Sequence, residues 1–209
     1  MGAAIEVIDL GVNNLASLVR GFRNVSDVEI RTVAAGTESR GADLMVLPGV
    51  GAFGAAVDEL QSRGLDDLVR EHVASGGPLF GVCLGMQLLA DASQESPGRA
   101  GLGFIPGQSI KLEASERARV PNMGWTGASP GAGAGAFSSL ARGTDYYFVH
   151  SYAVHPEDDR DILAWSDFDG RPFVSGLLRD NVLGVQFHPE KSSFGGQRLL
   201  AEVVEWALG

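Results

Sequence analysis

The sequence predicts an α/β protein whose mostly parallel sheet is followed by an antiparallel extension, and two observations carry this prediction. In the first half, short apolar runs alternate with segments whose apolar residues recur at helical spacing. That alternation is typical of parallel strands joined by right-handed crossovers. In the second half, short apolar runs follow one another with few helical segments between them, as in antiparallel or mixed sheets. The length fits one domain, over residues 1–209.

The elements of the first half follow from apolar runs and the residues that end them. The expected strands are Ala3–Ile8, Val28–Val33, Leu44–Leu47 and Leu79–Val82. The expected helices are 15–22, Ala52–Arg63, Asp66–Ser75 and Leu84 to about Ala92. Asn13 and Asn14 are good N-caps for the first helix. Pro48-Gly49 ends the third strand, and Gly76-Gly77-Pro78 ends the third helix.

The second half reads as strands joined by turns and closed by one helix. The expected strands are Gln108–Leu112, Tyr146–Val149, Ile162–Trp165, Phe173–Leu178 and Val182–Phe187. An amphipathic helix is expected over 194–208. The segment Gly127–Gly135, rich in Gly, Ala, Ser and Pro, indicates a flexible loop.

Composition excludes several classes of function. Sixteen Lys and Arg against 26 Asp and Glu give a net charge of −10, which argues against a nucleic-acid partner. A single cysteine cannot form an internal disulfide, which favours a reducing compartment, here the cytoplasm. There is no apolar run of about 18 residues and no basic start, so neither a membrane span nor a signal peptide is expected. The Cys and His spacing suits no metal, and no phosphate-binding motif indicates a cofactor.

The strongest local signal for chemistry is Gly81-Val82-Cys83-Leu84-Gly85, which lies between an expected strand and an expected helix. Glycine on both sides of a nucleophile is the pattern of a strained strand-to-helix elbow, where side chains at the flanking positions would clash. A helix N-terminus favours the thiolate and offers a backbone N–H to an oxyanion. The alternative is a buried structural cysteine.

His188 is the best candidate for the base that a cysteine nucleophile needs. It follows the apolar run Val185-Gln186-Phe187, and ligand sites form at the carboxyl ends of strands in such sheets. Glu190, two residues later, could orient the imidazole, although a solvated turn residue is the alternative. The other histidines are less suited: His72 and His155 read as surface residues, and His150 as either pocket-lining or buried.

A second turn, Pro48-Gly49-Val50-Gly51, also lies at a strand end. Free backbone N–H groups there could complete an oxyanion hole. The alternative is an ordinary strand-to-helix turn.

Together these motifs resemble class I (triad) glutamine amidotransferases. Gly81-Val82-Cys83-Leu84-Gly85-Met86-Gln87 with His188-Pro189-Glu190 carries the resemblance, and it extends over nearly the whole chain. Four stretches are similar to glutaminase subunits of imidazole glycerol phosphate synthase. They are Leu47-Pro48-Gly49-Val50-Gly51-Ala52-Phe53-Gly54, Val120-Pro121-Asn122-Met123-Gly124-Trp125, Tyr147-Phe148-Val149-His150-Ser151-Tyr152 and Gln186-Phe187-His188-Pro189-Glu190-Lys191-Ser192.

The resemblance implies a doubly wound sheet and a role for each matching residue. Cys83 would be the nucleophile, His188 the general base and acid, and Glu190 the residue that orients His188. The oxyanion donors would be the N–H of Leu84 and one in the turn Gly49, Val50, Gly51. Gln87 and the stretch His150, Ser151, Tyr152 would line the pocket for L-glutamine.

Two positions depart from the family pattern. Asn13 stands where a glycine is usual, and Asn122 where a histidine is more frequent. Both segments are expected near a subunit interface, so the departures bear on coupling between subunits and leave the triad intact.

The leading interpretation is a glutaminase subunit that passes ammonia to a separate (β/α)₈ cyclase subunit, which makes imidazole glycerol phosphate in histidine biosynthesis. Three alternatives remain at this point: a paralogous glutaminase subunit of a surface-polysaccharide sugar amidotransferase, a cysteine hydrolase on the same elbow, and an inactive scaffold that only binds the cyclase. The presence of Cys83, His188 and Glu190 argues against the scaffold.

Overall fold

Short strands and the helices between them are defined in a computed structural model that describes residues 2–11, 15–34, 39, 41–131, 133–140 and 143–209. Within these residues the α-helices are α1 (Leu15–Arg23), α2 (Phe53–Ser62), α3 (Leu65–Ala74), α4 (Leu84–Leu88) and α5 (Ser193–Leu208). The first strands are β1 (Ala4–Ile8), β2 (Glu29–Val33), β3 (Leu44–Leu47), β4 (Leu79–Val82), β5 (Ala90–Ser93), β6 (Ile105–Lys111) and β7 (Asn122–Gly127). The later strands are β8 (Ser129–Pro130), β9 (Asp145–His150), β10 (Tyr152–Pro156), β11 (Ile162–Phe168), β12 (Arg171–Arg179) and β13 (Val182–Val185).

The main sheet of the described residues has the strand order β2-β1-β3-β4-β13-β12-β11-β8. Neighbours from β2 to β13 run parallel, and β12, β11 and β8 extend the sheet in antiparallel pairs. The predicted fold class, a mostly parallel sheet with an antiparallel extension, is therefore confirmed.

Helices cover both faces of this sheet. Successive strand residues point to opposite sides, so an apolar strand presents apolar side chains to both faces. In β3, Leu44 and Val46 join one apolar cluster, whereas Met45 and Leu47 join the other. The first cluster also contains buried residues of α1 and α5, and the second contains those of α2, α3 and α4. The continuous apolar runs of β1, β3 and β4 match this burial on two faces.

The order of three neighbouring strands determines where the site forms. β3, β4 and β13 are adjacent and parallel, so their carboxyl ends meet at one edge of the sheet. The turn 48–51 follows β3, Cys83 follows β4, and 186–188 follows β13. Residues more than a hundred positions apart in the sequence are thereby brought to one edge, the usual place for ligands in such folds.

The helix expected from Leu84 to about Ala92 is wrong beyond Leu88. Residues 90–93 instead form β5, which pairs in parallel with β6. Gly101 allows this return, because a Cβ there would lie 2.1 Å from the carbonyl oxygen of Ala90. The backbone carbonyls that a longer helix would have used accept from the returning chain, as when Leu102 N–H donates to Leu88 O.

The expected second-half strands do not all belong to the main sheet. β5, β6 and β10 form one small sheet, and β7 pairs with β9 in another. The flexible loop expected over Gly127–Gly135 is also wrong for its described residues, since Ser129–Pro130 pairs with β11 and Ala134–Ala136 forms a 3₁₀ turn. The expected N-caps Asn13 and Asn14 lie outside the described residues.

Two absences hold for the part of the chain described here. No helix in it is long and apolar enough to span a membrane. No group of three or more His, Cys, Asp or Glu side chains in it is placed to hold a metal ion.

Candidate active site

The chain turns sharply at Cys83, between the last residue of β4 and the first of α4. Cys83 has φ 56° and ψ −108°, a backbone conformation that side-chain-bearing residues rarely adopt. Glycines make room for it. A Cβ on Gly81 would lie 2.8 Å from the carbonyl oxygen of Gly85, and a Cβ on Gly85 would lie 1.8 Å from that of Leu47. The geometry is that of the expected strand-to-helix elbow.

His188 and Glu190 form a buried pair at the end of β13. His188 Nδ1 lies 2.8 Å from Glu190 Oε1, and both side chains are at most 1% exposed. The 3₁₀ turn Pro189–Lys191 brings the carboxylate back to the ring. The backbone is fixed as well, because His188 N–H donates to Tyr147 O at 2.9 Å and Ser192 Oγ donates to His188 O at 2.6 Å.

The protonation state of His188 is set by opposing effects. Burial works against the charged ring, but hydrogen bonds to Cys83 and Glu190, with the negative charge on each, outweigh it. They raise the pKa of His188 to about 9. At neutral pH the imidazole is therefore protonated, between Cys83 and the Glu190 carboxylate.

A cavity of about 350 Å³ opens beside Cys83, within the range of small-ligand pockets. It is lined by Val50, Gly51, Cys83, Leu84, Gln87, Glu95, Pro121, Val149, His150, Ser151 and Tyr152. Seven residues singled out from sequence for the oxyanion hole or the glutamine pocket are among them: Val50, Gly51, Leu84, Gln87, His150, Ser151 and Tyr152.

Three of the expected site residues, Gly49, His188 and Glu190, lie outside this lining. Gly49 packs against the helix start, where a Cβ would be 2.9 Å from Leu84 Cβ. Glu190 borders a second, smaller cavity of about 140 Å³ between α1 and α5. His72, expected at the surface, is half-buried, with Nε2 2.9 Å from Pro78 O.

His150 is buried and neutral, in contrast to His188. Burial, partly offset by a hydrogen bond to the Tyr152 carbonyl and reinforced by the charge of His188, lowers its pKa to about 4. Its Nδ1 lies 2.8 Å from Tyr152 O, and Asn122 Nδ2 donates to its Nε2 at 3.0 Å. Asn122 is thus buried at the pocket, although its strand carries the exposed Met123 and Trp125.

Comparison with known proteins identifies the family. A family model described as "Glutamine amidotransferase class-I" matches residues 6–205. The chain belongs to the class-I glutamine amidotransferases. A crystal structure of a glutamine amidotransferase shares the fold, with a TM-score of 0.75 and 19% identity over 98% of this chain and 99% of that one.

Two curated relatives of this amidotransferase identify the kind of subunit within the family. It is 41% identical to imidazole glycerol phosphate synthase subunit HisH of Pyrococcus furiosus, covering 94% of this chain and 95% of that protein. It is 35% identical to imidazole glycerol phosphate synthase hisHF of Emericella nidulans, covering 97% of this chain but 38% of that protein. The amidotransferase is an enzyme subunit of the HisH type.

Two residues of the amidotransferase site were missed from the sequence. Glu95 lines the cavity, and its Oε2 accepts from Phe53 N–H at 2.7 Å, at the start of α2. Gln186 is fully buried and places Nε2 3.7 Å from Cys83 Sγ. Glu95 follows β5, most of which falls within the helix expected from the sequence. Gln186 lies two residues before His188, and its position in that motif was the available signal.

Proposed function

We propose that this chain hydrolyses L-glutamine to glutamate and ammonia, and passes the ammonia to a cyclase subunit that makes imidazole glycerol phosphate in histidine biosynthesis. The observation that carries the proposal is Cys83 on a strained elbow, interacting with His188 of the buried pair His188 and Glu190 and open to a cavity of about 350 Å³. Cys83, His188 and Glu190 are thus arranged as nucleophile, base and orienting acid, which is the order that covalent catalysis requires.

The reaction divides into two acyl-transfer steps. The thiolate of Cys83 attacks the side-chain amide carbon of glutamine, and the carbonyl oxygen becomes an oxyanion. His188, held protonated beside Glu190, gives its proton to the departing nitrogen, so ammonia leaves and a glutamyl thioester remains. The now neutral His188 takes a proton from water, whose oxygen attacks the thioester. Glutamate leaves, and the thiolate and the imidazolium are restored.

The oxyanion needs donors on the cavity side of Cys83. The N–H of Leu84, the first residue of α4, is one candidate, and the turn Gly49, Val50, Gly51 supplies the other. Gly51 has φ +115°, a conformation that glycine tolerates far better than other residues. A rotation of a peptide unit in this turn would therefore exchange a carbonyl for an N–H at the oxyanion.

The amino-acid end of glutamine is recognised by polar groups across the cavity from Cys83. Gln87 Nε2 donates to Tyr152 O at 3.1 Å and to Gln186 Oε1 at 3.2 Å, so its own carbonyl oxygen is the end that can accept from an ammonium group. The negative charge of Glu95 favours the same ammonium. Ser151 and Tyr152 complete this wall.

The partner would dock on the strand β7. Met123 is 63% exposed and Trp125 is 53% exposed, and apolar side chains of this size at the surface mark interaction sites. β7 pairs with β9, whose last residue is His150 in the cavity wall. The relatives described above are synthase proteins, which favours a cyclase over the sugar amidotransferase alternative.

Two further properties belong to this proposal. Residues 1–209 form one amidotransferase domain, which is supported by two apolar clusters that share a single sheet. The protein works in the cytoplasm, where its single thiol stays reduced.

Replacement of Cys83 tests the proposal. We expect Cys83→Ala to abolish glutamate release while thermal unfolding and partner binding match the parent. In the parent, a diazo-ketone analogue of glutamine should add one mass increment, located by peptide mass spectrometry at Cys83. Labelling at another residue, or a Cys83→Ala variant that still releases glutamate, would refute the assignment.

A further inference from the structure

We propose that Gln186 holds the nucleophile through a hydrogen bond from its side-chain amide to Cys83 Sγ, and that the Tyr152 carbonyl, acting through Gln87, fixes the direction of that donation. The inference rests on the proposed function in one respect, that Cys83 is the nucleophile. It assigns a role to Gln186, and to Gln87 as the side chain that orients it, neither of which belongs to the triad.

Gln186 is placed for this role by the end of β13. It follows Val185, the last residue of the strand, and its side chain is fully buried. Its Nε2 is 3.7 Å from Cys83 Sγ, within hydrogen-bonding range for an atom as large as sulfur. Its Oε1 is 3.2 Å from Gln87 Nε2, and Gln87 Nε2 is also 3.1 Å from Tyr152 O.

The direction of each hydrogen bond follows from one group that can only accept, the Tyr152 carbonyl. Gln87 must turn its NH₂ towards that oxygen. The second hydrogen of the same NH₂ then points at Gln186, which must answer with its carbonyl oxygen. Gln186 is left with its NH₂ towards Cys83, so the sulfur receives a donor. Reversing either amide would place two like ends together in a buried site.

The Tyr152 carbonyl also connects these hydrogen bonds to the strand β7. His150 is neutral and has one N–H, which its Nδ1 donates to Tyr152 O at 2.8 Å. Its Nε2 is then an acceptor, and Asn122 Nδ2 donates to it at 3.0 Å. The Tyr152 carbonyl therefore accepts from two sides, from His150 with Asn122 behind it and from Gln87. An Asn amide at position 122 supplies the N–H that a neutral His150 needs.

A neutral donor on sulfur has a defined chemical effect. It favours the thiolate over the thiol, because a charged acceptor forms the stronger hydrogen bond. An amide does not titrate, so this donor stays in place while His188 gives and takes its proton. Among the described residues, the titratable groups that face Cys83 are His188, with Glu190 beside it, and His150, Tyr152 and Glu95 in the cavity lining.

The rate of alkylation of the single thiol reports on the contact between Gln186 and Cys83 and does not require turnover. We would measure the rate of Cys83 reaction with iodoacetamide from pH 5 to 10 in the full-length chain. Gln186→Met keeps the length of the side chain and removes the donor. We expect the midpoint of its rate profile to move up by about one pH unit, and the rate at pH values below the parent's midpoint to fall about tenfold. Gln87→Met, which frees Gln186 to turn, should move the midpoint in the same direction by less.

The control is Ser166→Ala, which removes a buried hydrogen bond of 2.9 Å to Ser175 on the strands β11 and β12 and leaves the donors to Cys83 in place. Its alkylation profile should match the parent. Profiles of Gln186→Met and Gln87→Met that also match the parent would overturn the inference. If Gln186→Met does not fold, the direction of the Gln87→Met shift decides. The proposed function fails separately, if the alkylated parent still releases glutamate.

Discussion

Two buried histidines of this site have opposite protonation states, and the difference lies in their neighbours. His188 interacts with Cys83 and with the Glu190 carboxylate, so its charge is compensated despite burial, and its pKa rises to about 9. His150 has a backbone carbonyl and an amide as partners, so burial prevails and its pKa falls to about 4. One ring is thus ready to give a proton, and the other is a fixed hydrogen-bonding group.

This difference predicts the ranking of two variants. His188→Asn removes the group that transfers protons, and we expect glutamate release to fall by about 10⁴-fold or more. Glu190→Gln keeps the ring in place but loses the charge that favours its protonated form, so the loss should be smaller. Steady-state rates of both variants, measured in the complex with the cyclase subunit, give the ranking. A larger loss for Glu190→Gln would require a direct role for Glu190 in proton transfer.

His150 should give the protein a stability that decreases in acid. In the unfolded chain this histidine binds a proton near pH 6.5, whereas in the folded protein it does so only near pH 4. The contribution is present above pH 6.5 and is lost as the pH falls towards 4, because the unfolded state gains the proton first. Between pH 7 and pH 5 we expect the parent to lose about 2 kcal/mol more than His150→Gln in urea unfolding. Equal losses would contradict the buried, neutral state.

At the scale of elements, the elbow depends on how closely β3 and α4 approach each other. Gly85 on α4 lies directly against the last residue of β3, and Gly49 after β3 lies against Leu84. The helix α2 begins just after the turn that follows β3. Its first N–H groups donate to side chains of the segment after β5. Phe53 N–H donates to Glu95, and Gly54 N–H donates to Ser96 Oγ at 2.9 Å. Cys83, the turn after β3 and the cavity wall at Glu95 are therefore one packed unit.

Gly85→Ala should disrupt this unit. The added methyl group would lie 1.8 Å from the carbonyl oxygen of Leu47, a backbone atom that cannot rotate away. Overpacking of this kind costs about 1–3 kcal/mol or more, so the thermal unfolding temperature should fall and glutamate release with it. Gly135→Ala is the matched control, because a Cβ there meets no atom within 4 Å. Similar unfolding temperatures for the two variants would mean that β3 and α4 can separate without cost.

At the scale of the whole molecule, the parts that the sequence predicted are those set by local pattern. Apolar runs of four or five residues located β1, β3 and β4, and the glycines around Cys83 located the elbow. β5 was missed because Ala90–Ser93 has no strand-like alternation, and only its pairing with β6 makes it a strand. The contact of Gln186 with Cys83 joins two strand ends a hundred residues apart, and no local pattern encodes such a contact.

The proposed docking of the partner on β7 can be tested at its exposed side chains. Trp125 stacks edge-on against Tyr147, with ring centroids 6.0 Å apart, so the ring is held ready at the surface. Large preorganised aromatics dominate many interfaces. Trp125→Ala should weaken binding of the cyclase subunit at least about tenfold, measured by titration calorimetry, without changing alkylation of Cys83. Phe194→Ala is the control, since Phe194 is 78% exposed at the start of α5, away from β7 in the chain. Equal weakening by both would place the interface elsewhere.

Glutamine hydrolysis by the free chain should be weak until the cyclase and its nucleotide bind, because ammonia made without an acceptor is lost. We propose the turn Gly49, Val50, Gly51 as the structural means, since Gly51 at φ +115° would let a peptide unit rotate and present an N–H to the oxyanion. One lost oxyanion donor costs about 10²–10³ in rate, so we expect activation of that size. Glutamate release would be measured for the free chain, the complex, and the complex with nucleotide. Equal rates in all three would exclude coupling through this turn, even with Cys83 as the nucleophile.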